Sequence, residues 1–119
     1  MSEGKTGVFK LTESARIKLA SWLDRSAVWV SENWGKVRSV TSREKKETVE
    51  ALLILKRIVL LKEVSAEDKK FVKSQSGDIV KILFLISLKF IPIPIPMTPM
   101  LIYLGKKIGV DFLPKKQRD

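Results

Sequence analysis

Residues 78–114 read DIVKILFLISLKFIPIPIPMTPMLIYLGKKIGVDFLP, and what surrounds this stretch decides the fold. From Ile82 to Leu104 it runs for 23 residues with one charge, Lys89. A hydrocarbon core about 30 Å thick takes roughly 20 apolar residues as a helix, so the length suffices to cross a bilayer. The prolines oppose a single helix. Pro92, Pro94, Pro96 and Pro99 lack the backbone donor, and each drives the residue before it toward extended geometry. Residues 91–96 therefore predict a polyproline-like strut. The run divides into helix, proline break and helix: residues 78–90, then 99–108. Thr98 suits the N-cap of the second arm, Pro99 its first turn and Gly109 its C-cap. Two environments compete for this hairpin. In one it enters a membrane between Lys81 and the pair Lys106 and Lys107, with Lys89 costing about 2.5–3.5 kcal/mol unless it snorkels or pairs. In the other it is the core of a small helical domain.

Working outward, 119 residues make one domain, with residues 1–10 expected as a flexible arm and 11–119 as the helical unit. The first ten residues, MSEGKTGVFK, hold no apolar run of the secretory-signal kind. The absence of cysteine excludes disulfides and thiolate metal sites, and the absence of histidine removes the usual general base and the commonest metal ligand. The expectation is a non-enzymatic chain with no cofactor, no metal and no small-molecule substrate. Phosphate-binding glycine loops, HExxH and EF-hand patterns are all missing.

The net charge of +10 is uneven. After Ile79 the only acids are Asp111 and Asp119, against Lys81, Lys89, Lys106, Lys107, Lys115, Lys116 and Arg118. A basic cluster beside an apolar run fits anionic lipid head groups or nucleic-acid phosphate, and equally a charged solvated surface. Asp78 stands at the mouth of the apolar run, one turn from Lys81. It is a candidate for ion or proton coupling, or one half of an ordinary i, i+3 pair.

Upstream, Thr12 caps a long amphipathic helix over residues 12–37. Trp22, Trp29 and Trp34 all lie on it, and the seven-residue spacing of Trp22 and Trp29 puts them on one face. They read as core packing, as an interfacial anchor beside lysines and arginines, or as stacking platforms for bases. Ser42 is placed to cap a second helix over 43–61, charged in its first half and apolar in its second. Ser65 opens a third through SAED, close to a capping box, where Gly77 either kinks the helix or merely costs it about 1 kcal/mol. No two-residue alternation persists, so the fold class is all-α, of three to four helices with a proline-interrupted apolar hairpin at 78–114.

Three blocks in order carry a family resemblance: KETVEALLILKR, VSAEDKKFVKSQSGDIVK and FIPIPIPMTPMLIYLGKKIGVDFLP. Through Ser65, Glu67, Lys69, Lys70, Asp78, Pro92, Pro96, Pro99, Leu113 and Pro114, residues 45–114 resemble the LETM family of mitochondrial inner-membrane proteins and their bacterial relatives. The resemblance implies an inner-membrane location, ribosome association and a role in cation–proton exchange. The chain departs from the family after Leu113-Pro114, where members continue into a large ribosome-binding-like domain. The leading expectation is a small basic LETM-like membrane-associated protein touching anionic lipids, with the alternative of a soluble, cytoplasmic ribosome- or RNA-binding module. An exchanger built around Asp78 would require a homo-oligomer, since one short chain cannot enclose a pathway.

Overall fold

A computed structural model describes residues 11–109, so the expected arm at 1–10 and Lys115, Lys116 and Arg118 lie outside the described residues. Among the described residues the chain is all-α, with six helices rather than three to four. They are α1 (Glu13–Glu32), α2 (Trp34–Val37), α3 (Lys45–Val59), α4 (Ala66–Ser74), α5 (Ser76–Lys89) and α6 (Met97–Ile108), with a 3₁₀ turn at Arg38–Val40.

Two of the extra breaks have local causes. The first helix stops at Asn33, two residues before Gly35. Both the Asn33 amide and its side-chain Nδ2 donate to the Trp29 carbonyl, at 2.8 and 3.0 Å, so its own side chain competes for the helix end. The α4–α5 break falls at Gln75 (φ −109°, ψ 13°) and not at Gly77, which lies inside α5.

The caps read from sequence are partly matched. Thr12 Oγ1 accepts from the Ala15 amide and Ser65 Oγ from the Asp68 amide, each at 3.0 Å. Ser42 does not cap α3. Glu44 holds that position, and the Glu47 carboxylate accepts from its amide at 3.4 Å. Helix α6 starts two residues before Pro99. Pro96 occupies the N-cap position without a side-chain acceptor, and Thr98 sits inside the first turn. Gly109 closes α6 in the left-handed region (φ 79°), as expected for a glycine there.

The apolar stretch is corrected most. With 14 residues α5 spans about 21 Å and α6, with 12, about 18 Å, both short of a hydrocarbon core. No helix among the described residues is long and apolar enough to cross a membrane. Nor do the two arms zip together as a hairpin. Helix α6 lies mainly against α3 and α4, and α5 against the 3₁₀ turn. Ile79, Ile82, Leu83 and Ile86 of α5 and Met100, Leu101, Leu104 and Ile108 of α6 join one core with Leu19, Trp22 and Leu23 of α1 and Leu52, Ile54 and Leu55 of α3. The expected insertion of these side chains into lipid is thereby overturned: the protein's own helices bury them. The most extensive helix pair is α1 with α3, which forms the floor on which the C-terminal half is laid.

Candidate functional site

The segment joining α5 to α6 is held by the tryptophans. Phe90 and Ile91 amides both donate to the Ile86 carbonyl, at 3.0 and 2.8 Å, ending α5. Residues 91–96 then form no helix and bend at 91, 94 and 95 on the way to α6. Ile91, Ile93 and Ile95 are half-buried against the core, whereas Pro92, Pro94 and Pro96 are exposed. Trp22, fully buried, donates its indole N–H to the Ile91 carbonyl at 2.9 Å. Trp29 packs on Phe90 with ring centroids 4.5 Å apart and planes tilted by 33°. The shared face of Trp22 and Trp29 thus clasps the start of the strut. Trp22 does not reach the surface, Trp29 and Trp34 are half-buried, and Pro99 is half-buried within α6.

The outer face of α5 differs from its inner one. Lys81, Phe84 and Leu88 follow at steps of three and four and are all exposed, with Lys89 beside them. Leu88 is 77% exposed and Phe84 39%, and Phe90 continues the surface toward the exposed prolines. Phe84 and Leu88 thus form an exposed apolar ridge edged by Lys81 and Lys89, of which only Lys89 is among the expected membrane residues. Sequence inspection missed this division, because α5 is so apolar that its two faces differ little in hydropathy.

Asp78 is held from another element. Arg43 Nε lies 3.7 Å from its Oδ2, while Arg43 Nη2 donates to the Ser74 carbonyl at 2.9 Å. Arg43 therefore ties the turn before α3 to the α4–α5 junction, and this pair replaces the expected Asp78–Lys81 contact.

A basic corner forms where α4 meets the end of α6. Lys106 and Lys107 lie in the last turn of α6, where the helix dipole favours cations. The Lys73 ammonium reaches this end, 3.9 Å from where a side chain on Gly109 would begin. Lys107 Nζ also sits over the Tyr103 ring, 5.6 Å from its centroid. The Tyr103 hydroxyl is buried with no hydrogen-bond partner, and its pKa is raised by desolvation against a smaller lowering by Arg16. No cluster of three acids that could hold a metal ion occurs among the described residues.

No family model, curated protein or solved structure matches the chain. The site is therefore read from its own chemistry.

Proposed function

We propose that this is a small, basic, non-enzymatic protein that associates peripherally with anionic membranes, lying on the surface rather than crossing it. The observation that carries the reading is the exposed ridge of Phe84 and Leu88 on α5, edged by Lys81 and Lys89. An apolar ridge a few ångströms deep with cations at its margins matches the boundary between head groups and acyl chains. Each lysine near an anionic surface adds about 1 kcal/mol. The LETM-like character of the proposal, with its inner-membrane location, rests on the ordered residue blocks quoted above. Within it, Asp78 keeps its candidacy for ion or proton coupling, now as the partner of Arg43.

Flotation of the full chain with vesicles containing phosphatidylserine tests this directly. The wild type should float with anionic vesicles and stay behind with neutral ones. Phe84→Ser combined with Leu88→Ser, both at exposed positions, should cut bound protein about tenfold or more, since two apolar side chains of about 1.5–3 kcal/mol each leave the interface. Equal recovery with neutral vesicles, or no loss in the double variant, rules the reading out.

A second reading is favoured by a separate observation, the corner of Lys73, Lys106 and Lys107: binding of RNA, including ribosomal RNA, through phosphate contacts. Its signature is a log–log salt slope of about −0.7 to −0.9 per phosphate contact, lowered when Lys107 is replaced by alanine. A salt-independent interaction rejects it.

A further inference from the structure

A shallow groove of about 350 Å³ runs between α1 and α3, lined by Asp24, Ala27, Val28, Ser31, Glu32, Val49 and Leu53. Two features set it apart on a chain of net charge +10. Its lining includes acids and no base, and two of its apolar residues are open to solvent: Val28 is 53% exposed and Leu53 38%. Asp24, Val28 and Glu32 follow at steps of four along α1, so an exposed apolar side chain sits between two carboxylates on one helical stripe. Two lysines stand outside the lining. Lys56 Nζ lies 3.1 Å from Asp24 Oδ1, and Lys45 Nζ reaches the Ser31 carbonyl at 3.4 Å.

The complement of this groove is present on the same molecule. The α5 ridge is an exposed stripe of the opposite sign, with Phe84 and Leu88 between Lys81 and Lys89. We infer that the α1–α3 groove receives the α5 ridge of a second copy of this chain, Leu88 and Phe84 packing on Val28 and Leu53 while Lys81 meets Glu32 and Lys89 joins Lys56 at Asp24. Groove and ridge are different surfaces, so the contact is head-to-tail. It leaves one free groove and one free ridge in every pair and extends to rings or chains unless it closes. The contact patch is small, so assembly is reversible and concentration-dependent. Anionic lipid drawn to the lysines of the ridge would compete with the groove for it and break the assembly.

This inference does not depend on the membrane reading, and lipid-free sedimentation velocity of the full chain over a dilution series tests it. The wild type should sediment faster as concentration rises. Asp24→Lys with Glu32→Lys, and separately Lys81→Glu with Lys89→Glu, should each give concentration-independent monomers with unchanged helical circular dichroism. Mixing the two variants pairs a basic groove with an acidic ridge and should restore the faster species. That recovery also shows that neither variant had merely unfolded. The inference is overturned if the wild type stays monomeric throughout, if either charge reversal leaves its association unchanged, or if the mixture does not recover.

Discussion

Trp22 shows how one side chain positions a whole segment. Its ring is enclosed by the core, and its N–H satisfies the carbonyl of Ile91, 69 residues along the chain. Trp22→Phe would leave that carbonyl without its donor, a loss of about 1–3 kcal/mol, with a further cost for the vacated volume. A urea titration should show a lower midpoint. An unchanged midpoint would mean the strut is held by other means. Leu61 makes the opposite point. It lies one residue beyond the Leu60 cap of α3 with φ 61°, where Lys62 N–H closes back on the Arg57 carbonyl at 2.9 Å, and it is 59% exposed. A branched residue pays about 1–2 kcal/mol in that conformation, part of which glycine returns through a freer unfolded chain. Leu61→Gly should therefore raise stability by about 0.5–1 kcal/mol, and a lower melting temperature would contradict the assigned strain. Tyr103 makes the fold sensitive to alkali. Its raised folded pKa means the unfolded chain loses the phenolic proton first, from the ordinary value of 10.0. The stability it contributes is complete below that pH and is lost as pH rises toward the folded pKa. Tyr103→Phe should flatten the stability profile above pH 10 and, because the hydroxyl has no partner, cost little at neutral pH.

At the scale of elements, much of the fold was legible and the reasons for the misses are specific. The Thr12 and Ser65 caps, the Gly109 stop and the helix–proline–helix division all follow from local chemistry that tertiary structure did not override. What short-range rules did not show is partnership. Nothing within a few residues of Asp78 indicates that Arg43 would hold it, and nothing in the sequence around Asn33 marks it, rather than Val37, as the end of the first helix, where its side chain donates to the Trp29 carbonyl. Length and apolarity left membrane and core open for the 78–114 stretch, because neither says how much apolar surface α1 and α3 have to cover. The ridge on α5 escaped notice for a related reason, since only packing separates Ile82 and Ile86 from Phe84 and Leu88. The strut has a two-residue alternation of its own, isoleucine inward and proline outward, which the overall search for strands passed over. Its two sides should respond differently to alanine. Ile93→Ala or Ile95→Ala should cost about 1–2 kcal/mol through lost packing, and Pro94→Ala less than about 1 through a freer unfolded chain. Equal losses would refute the inward–outward assignment.

For the molecule as a whole, charge and core act against each other. One contiguous core joins all four of the longest helices, while the chain carries a net +10 and the described residues include such ion pairs as Lys56–Asp24 and Arg57–Asp68, both partly exposed. Pairs of that kind contribute about 0–1 kcal/mol, so repulsion among the cations is the larger electrostatic effect. The melting temperature should therefore rise as salt is added from very low ionic strength, where the screening length exceeds the width of the domain. A fall would mean the ion pairs dominate. The proline strut also bears on what the molecule avoids. An extended, isoleucine-rich ribbon at a surface is the usual seed for edge-to-edge growth of sheets between molecules. Here Pro92, Pro94 and Pro96 carry no amide hydrogen and the chain bends at 91, 94 and 95, so the border it offers a neighbour is neither straight nor well supplied with donors. The chain can leave so greasy a segment beside water with little risk of fibrils nucleating along that border.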